Sequence, residues 1–517
     1  MTTTALNPLR CDSGKRAVQG AVHSSTARSP VLKRAISSCD KQFWIGELGE
    51  GLRRVYSWGT MAAVLPILCE RIDLTRPDGR SQLDALRLRL VSQGEMISPA
   101  GQQRTIDVFG SPLTPRQVVA RICADVKALG LDALLDYTRR IDGVTVKPEN
   151  LFVAPADLAA AHASVDAHFL GALRRIKARV ERFQQAILSQ NVEIALPGGG
   201  VLRQRYVPLD RVGVCVPGGA AAYPSTLLMT VVPANVAGVA EIVVVVPPTK
   251  YGSENIHVLA TCHELGVKTV VRAGGAQAVA AMAYGVAGLA RVDKIVGPGN
   301  LFVALAKQYV YGEVSIDSIA GPSEIVIVAD AAANPEHIAA DMLAQAEHSP
   351  GSAILLSSCP QLADRVAESL ERRVAVLERS SLTRDSLQRF GAIVITAHAD
   401  ESAQIADELA AEHLSIDTVD PEQMLLKIRH AGAVFLGPFS PVAAGDYAAG
   451  PSHVLPTGGT ARFAAGLSAN DFLRGGSVIK LLSADLKAVA DDVKTLAGIE
   501  GLTAHRRSIE VREGSGL

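Results

Sequence analysis

No apolar run in this sequence is long enough to cross a bilayer; the aliphatic run at residues 242–246 is the length of one strand. No Cys-x-x-Cys pair occurs. The seven cysteines, Cys11, Cys39, Cys69, Cys123, Cys215, Cys262 and Cys359, are odd in number and irregularly spaced. That argues against a cysteine zinc site and a disulfide framework, and for buried free thiols in a reducing compartment. Charge of one sign is also missing. The formal net charge is -1, which gives no support to nucleic acid or an acidic membrane as the main partner. No internal repeat is visible. Neither a Gly-x-Gly-x-x-Gly fingerprint nor a Walker A motif is present, so motif grounds alone assign no dinucleotide.

What is present is a globular composition. The 517 residues leave room for more than one domain, and 48% hydrophobic with 20% charged residues gives a large core and excludes wholesale disorder. Residues 1–60 stand apart. They are rich in Ser, Thr, Arg and Lys without sustained periodicity, and residues 1–40 are basic and acid-poor. A disordered tail, a transit-type targeting peptide and an upstream start, with translation beginning at Met61, all compete as origins; Glu47 and Glu50 suit a transit peptide badly. The expected location is the cytoplasm, or a plastid if the extension is a transit peptide.

From about residue 80 to 190, apolar residues recur at three- and four-residue steps in 116–129, 158–169 and 172–188, the spacing of amphipathic helices. After Pro197-Gly198-Gly199-Gly200 the character changes. Segments 211–216, 241–246, 268–272, 294–296, 325–328, 353–357, 392–396 and 433–436 are short, β-branched and apolar on both faces, as parallel strands should be. Helical stretches lie between most of them. This predicts an α/β protein with two parallel sheets. Residues 485–499 predict an amphipathic helix with Leu486, Val489, Val493 and Leu496 on one face, followed by a polar arm, 500–517.

Several predicted strands end in glycine turns: Pro217-Gly218-Gly219, Ala273-Gly274-Gly275-Ala276-Gln277, Gly297-Pro298-Gly299-Asn300 and Gly321-Pro322-Ser323-Glu324. In open α/β sheets ligands bind outside the carboxyl ends of strands. Glycine there lets backbone N–H groups approach a phosphate or planar ring. Taken singly, each reads equally well as a tight turn.

Polar groups gather elsewhere. Residues 445–462 hold one carboxylate, Asp446, and one imidazole, His453, among Gly445, Gly450, Pro451, Pro456, Gly458 and Gly459. These argue against an ordinary helix or central strand. An ordered polar loop of this length usually carries function, and a surface linker has no need of Tyr447, Val454 and Leu455. Asn334-Pro335-Glu336 reads as a helix start and Ser349-Pro350-Gly351 as the stop. Gln345 and His348 then share a face at the last turn. His348 with Asp446, His453 and His505 gives a nitrogen and oxygen set suited to zinc or a similar divalent ion. The plain alternative is that His348 caps the helix C-terminus. Glu412-His413 stands between a helix and a strand. Adjacent strand side chains point to opposite faces, so both reach one substrate only if the backbone bends there. Such a pair suits general acid–base work; two solvated surface residues are the alternative.

These strings, in this order, resemble histidinol dehydrogenases. The resemblance runs over roughly 65–513. It is carried by the glycine turns with Tyr223-Pro224-Ser225, by Val292-Asp293-Lys294-Ile295-Val296 before Gly297, by Ala344-Gln345-Ala346-Glu347-His348 and Ala411-Glu412-His413-Leu414, by the 445–462 loop and by Gly501-Leu502-Thr503-Ala504-His505. It implies two Rossmann-like parallel-sheet domains with a helical N-terminal region and a C-terminal arm, in a domain-swapped homodimer. The implied first domain takes 61–222 and 325–467, the NAD-binding domain 223–324, and the partner-docking helix and arm 468–517. The implied reaction is NAD-dependent oxidation of L-histidinol to L-histidine by two hydride transfers through a bound aldehyde. The implied ligands of one zinc ion per subunit are Gln345, His348, Asp446 and His505, with the metal positioning the substrate. By the same resemblance His413 takes the alcohol proton, Glu412 activates the water that attacks the aldehyde, and Ser323 and Glu500 hold the substrate, assisted by His453. Tyr223, Gln277 and Asn300 contact NAD. A paralogue acting on another polar alcohol, such as a sulfonated diol, is the alternative; Glu500 and His453 favour an amine-bearing substrate. A non-catalytic metal- or nucleotide-binding protein is a third reading, against which the Glu412-His413 pair argues.

Overall fold

The computed structural model describes residues 68–92, 99–219, 221–319 and 321–514. All lie in one unit, Leu65–Leu517. The expected extension at 1–60, with Cys11 and Cys39, lies outside the described residues. The strands are β1 (Glu70–Asp73), β2 (Val192–Ala195), β3 (Val201–Pro208), β4 (Arg211–Cys215), β5 (Glu241–Val246), β6 (Thr269–Arg272), β7 (Lys294–Val296), β8 (Ser315–Ile316), β9 (Ser323–Ala329), β10 (Gly351–Ser357), β11 (Gly391–Ile395), β12 (His413–Asp417), β13 (Ala433–Leu436) and β14 (Leu473–Lys480).

Two parallel sheets form, as the β-branched segments predict. One has the order β6-β5-β4-β7-β8; the other runs β1-β11-β10-β9-β12-β13. Numbered from β4 and from β9, both have the Rossmann-like order 3-2-1-4-5, with β1 added beside β11 in parallel register. Each sheet is buried on both faces because alternate residues point opposite ways. In the six-stranded sheet Ile325, Ile327, Leu355 and Ile393 enter one apolar cluster, while Val326, Val328, Ile354 and Val394 enter the other. The five-stranded sheet divides in the same way, with Val212, Val214 and Val244 on one face and Val243, Val245 and Ile295 on the other.

Some expectations change. The predicted helix 158–169 is two helices, Pro155–Ser164 and Ala167–Ile187, because Asp166 caps the second, accepting from the Phe169 N–H at 2.8 Å. Strand β4 pairs with β5 and β7, so the body built on the five-stranded sheet begins before the expected boundary at residue 223. The Gly198–Gly200 stretch is a hairpin turn: β2 and β3 pair antiparallel, and β14 adds on the far side of β3. Beyond it, the helix Ser483–Ile499 leaves much of its predicted apolar face open, with Val489 40% and Leu496 60% exposed. Within the polar arm a second helix forms, Thr503–Gly514.

One buried carboxylate joins the hairpin to the C-terminal helix. Asp485 accepts from the N–H groups of Gly198 at 2.6 Å, Gly200 at 2.8 Å and Leu482 at 3.0 Å. A Cβ at Gly198 or Gly200 would strike this carboxylate, so glycine is required at both. Burial works against ionisation of Asp485, but the N–H groups of Leu482, Gly200 and Gly198 outweigh it and hold its pKa below the ordinary value. A depressed folded-state pKa contributes stability present above the ordinary carboxylate value, about 3.9, and lost as pH falls through the folded value. Protection against amide exchange over 473–499, taken relative to the intrinsic rate at each pH, is therefore expected to fall on acidification to about pH 3, and already at neutral pH in Asp485→Ala. Protection unchanged in both cases contradicts the clamp.

Candidate active site

The bend needed at Glu412-His413 is present. The helix Ala399–Leu409 ends at Ala410, a non-glycine residue in the left-handed region (φ 48°, ψ 51°). The chain turns there and enters β12 at His413. Glu412 sits just before the strand, its carbonyl accepting from the Ala433 N–H at 2.8 Å. Both side chains are inside: Glu412 is 6% and His413 3% exposed. Buried ionisable groups need partners, and one residue of β9 supplies two. The Glu324 N–H donates to Glu412 Oε2 at 2.9 Å, and the Glu324 carbonyl lies 3.2 Å from His413 Nδ1. Pairing of β12 with β9, His413 opposite Ile325, sets this register.

Asp446 approaches from the other side. Residues 445–447, expected in a loop, complete a short helix, Val442–Tyr447. Gly445 is tolerated there because the helix lies against Phe435: a Cβ would come within 2.6 Å of that ring. The Phe435 ring in turn packs 5.8 Å, centroid to centroid, from the His413 imidazole. Asp446 Oδ1 lies 3.3 Å from His413 Nε2, yet no well-formed hydrogen bond satisfies that nitrogen. His453 Nδ1 lies 2.7 Å from the Asp446 carbonyl oxygen. The rest of the loop is pinned at several points. The Ser452 hydroxyl donates to the Met229 carbonyl at 2.9 Å, the Gly321 N–H to Thr457 Oγ1 at 2.5 Å, and the Gly458 N–H to Glu324 Oε1. Val454 and Leu455 are buried.

Gln345 and His348 come from the helix Pro335–Ala346, capped by Asn334 accepting from the Glu336 N–H at 2.9 Å. The helix ends before His348, whose N–H still reaches the Gln345 carbonyl at 3.3 Å. Gln345 is 1% exposed and its Nε2 has no partner.

The charges form one system. Burial disfavours the His413 imidazolium, but Glu412, Asp446 and the Glu324 carbonyl outweigh it, so its pKa is raised. Burial pushes Asp446 up, and His413, His453 and His348 more than reverse that. His348 and His453 are pushed down by the protein around their rings, against the pull of Asp446. His348 behaves so although much of the residue faces solvent. Burial pushes Glu412 and Glu324 each up to about 7, despite N–H donors and His413. The carboxylate of Asp446 thus lies beside His413, and the imidazoles of His348 and His453 are biased towards the neutral form that can bind a metal.

The residues expected at a dinucleotide lie at the carboxyl edge of the five-stranded sheet. Tyr223 precedes the helix Pro224–Ala237 after β4. Gln277, fully buried in the helix Gly275–Tyr284 after β6, donates to Asp142 Oδ2 at 3.3 Å and leaves Oε1 unpaired. Asn300, after β7, caps the helix Leu301–Val310, accepting from Phe302 and Val303 N–H groups at 3.1 and 3.2 Å. Ser323, Glu412 and His413 lie at the amino edge of the six-stranded sheet. The two edges meet near Tyr447, whose hydroxyl is pushed up by burial first and then by Asp446, Glu347 and Tyr223.

Two expected residues are not brought in. Glu500 and His505 are exposed near the chain end, with no hydrogen bond or ion pair to the cluster. Among the described residues, no group of three or more His, Cys, Asp or Glu is arranged to hold a metal ion. Cys215, beside the Pro217 turn, is inert: burial pushes its thiol up to about 12. Glu324 is the residue that sequence reasoning passed over. Its signal was a carboxylate near the start of an otherwise apolar strand, Ser323–Ala329. In metal-free protein, His413 is expected to titrate above the free imidazole value, about 6.5, with His348 and His453 below it. Asp446→Asn should lower the His413 value; NMR titration showing His413 below the other two contradicts this electrostatic reading.

Comparison with known proteins gives the family. A family model of histidinol dehydrogenase matches residues 113–513. Histidinol dehydrogenase of Rhodopirellula baltica is 55% identical over 440 residues, covering 85% of this chain and 96% of that protein. That of Geobacillus kaustophilus is 46% identical over 398 residues, 77% of this chain and 93% of that protein. The crystal structure of histidinol dehydrogenase from Elizabethkingia anophelis aligns with a TM-score of 0.78 at 29% identity, over 87% of this chain and 98% of that chain. A match over most of the chain, in sequence and in fold, places this protein in the histidinol dehydrogenase family.

Proposed function

We propose that the protein oxidises L-histidinol to L-histidine with NAD, through L-histidinaldehyde, as a zinc-containing homodimer. The observation that carries this reading is the buried Glu412 and His413 beside half-buried Asp446, with the buried His413 Nε2 lacking a well-formed hydrogen bond. With Nδ1–H directed at the Glu324 carbonyl, neutral His413 keeps its Nε2 lone pair for a proton. That nitrogen takes the hydroxyl proton as the alcohol carbon gives up its hydride, and Asp446 Oδ1 stabilises the imidazolium that results. Glu412, its pKa raised by burial to about 7, removes in its carboxylate form a proton from the water that attacks the aldehyde carbon. Once His413 has released its proton to solvent and NADH has been exchanged for NAD, the hydrated aldehyde loses a second hydride while His413 again takes the hydroxyl proton. NAD, when bound, accepts each hydride. We assign Tyr223, Gln277 and Asn300 to hold it on the five-stranded sheet, so the NAD-binding domain starts at β4 rather than at 223.

The donor set fits a zinc ion. Gln345 carries a buried amide nitrogen without a partner, His348 is neutral and Asp446 is ionised; an amide's oxygen and nitrogen can be exchanged by a flip. His505 of a second subunit completes the ligands in this reading. Zinc, when bound, supplies a fixed charge that anchors the substrate's imidazole and amino nitrogens. Ser323 and the second subunit's Glu500 hold the same substrate, and His453 braces Asp446. The exposed apolar residues Val489 and Leu496 support docking of segment 468–517 on a partner. Free thiols suit a reducing compartment such as the cytoplasm.

The test is the yield of NADH per histidinol consumed. About two are expected, one for each hydride transfer, with turnover lost on chelation; one NADH per histidinol, or full activity without metal, contradicts the reading. His413→Asn should lower kcat for histidinol by about a hundredfold or more. Glu412→Gln should slow oxidation of supplied histidinaldehyde more than that of the alcohol, and equal effects on the two steps remove its assigned role.

A further inference from the structure

The turn Gly297-Pro298-Gly299-Asn300 is built around a buried ion pair. Lys307, on the helix Leu301–Val310, is 1% exposed and ranks among the largest fully buried side chains. Its ammonium pairs with Asp317, just past β8, and donates to the Gly297 carbonyl at 3.0 Å. The other carboxylate oxygen of Asp317 accepts from the Gly297 N–H at 2.7 Å, and Oδ1 accepts from the Ser318 N–H at 2.7 Å. Both backbone groups of Gly297 are therefore held by one ion pair.

Gly297 needs holding. Its φ is +103°, in the region that L side chains avoid, and a Cβ would strike the Cys215 carbonyl at the end of β4. Nothing in the surrounding apolar packing calls for charge. Desolvating a lysine and an aspartate costs more than burying hydrocarbon of the same volume, and apolar replacements of buried pairs are often neutral or stabilising. What a hydrocarbon pair lacks is a directional grip on a peptide in a left-handed conformation. At its other end the turn is fixed by Asn300 as helix cap.

We infer that Lys307 and Asp317 are positioning residues for the dinucleotide: the pair presets the Gly297–Asn300 turn at the carboxyl edge of the five-stranded sheet, so that its backbone and Asn300 meet the cofactor without rearrangement. This rests on the NAD reading given above. Pre-organisation of this kind lowers the cost of binding and leaves the distant proton chemistry of His413 untouched.

The test uses the full-length protein. Lys307→Met/Asp317→Leu replaces the pair by hydrocarbon of similar size, and Asp317→Asn keeps the shape while removing the charge. Three quantities are measured: NAD affinity by calorimetry without histidinol, KM for NAD and for histidinol, and kcat at saturating NAD. The expected result is a cooperative unfolding transition, NAD binding weakened by about tenfold or more in the double variant, a smaller loss in Asp317→Asn, and little change in kcat or in KM for histidinol. A folded double variant that binds NAD as the wild type does overturns the inference. So does a double variant that fails to fold while Asp317→Asn binds NAD normally. Wild-type protein that binds no NAD contradicts the functional reading itself, and the inference with it.

Discussion

Burying Glu412 and His413 side by side obliges the rest of the structure to supply partners for them. An unpaired charge at 3–6% exposure would be costly. The partners come from one residue of β9, whose N–H and C=O serve the two groups separately, and from Asp446. A slip of one residue between β9 and β12 would move every side chain to the other face and leave both groups unpaired. The register that packs Ile325 and Leu414 is therefore also the register that arms the site.

Two sheets of the same strand order are put to different uses. The five-stranded sheet offers its carboxyl edge, where glycine turns let a ligand approach the backbone. The six-stranded sheet offers its amino edge, where Ser323, Glu324, Glu412 and His413 lie. Residues 448–462 link the two, tied by Ser452 to the helix Pro224–Ala237 and by Thr457 and Gly458 to the segment entering β9. In the proposed reaction the acid–base groups belong to one sheet and the turns assigned to the dinucleotide to the other, with this segment between them.

The central strands were legible because residues apolar on both faces have few alternatives in so large a protein. The helix start at Asn334 was legible because its cap chemistry is local. The break at Asp166 was not, since Leu158, Ala161, Val165 and Phe169 keep helical spacing straight through it. The antiparallel sheet gave no burial pattern to read, because β2 is wholly exposed. The helix at Val442–Tyr447 depends on Phe435 accepting Gly445, and the role of Glu324 on strand pairing with a segment about 90 residues away; neither contact is written in local periodicity. The acid–base pair at 412–413 was readable as chemistry, whereas the bend that makes it usable lies in one residue, Ala410.

In the proposed zinc site a single chain falls one ligand short. Gln345, His348 and Asp446 are the ligands proposed from one chain, while His505 stands on an exposed helix near the chain end and Glu500 in the exposed turn before it. In the proposed homodimer each site is completed by the neighbouring subunit's arm, an exchange of identical elements between protomers. Mixed dimers test this most directly. His505→Asn and His413→Asn protomers, each inactive alone, are refolded together and assayed for histidinol-dependent NAD reduction. Random mixing gives one intact site in each heterodimer, so about a quarter of wild-type activity should return. No recovery, with heterodimers shown to have formed, would contradict the shared site.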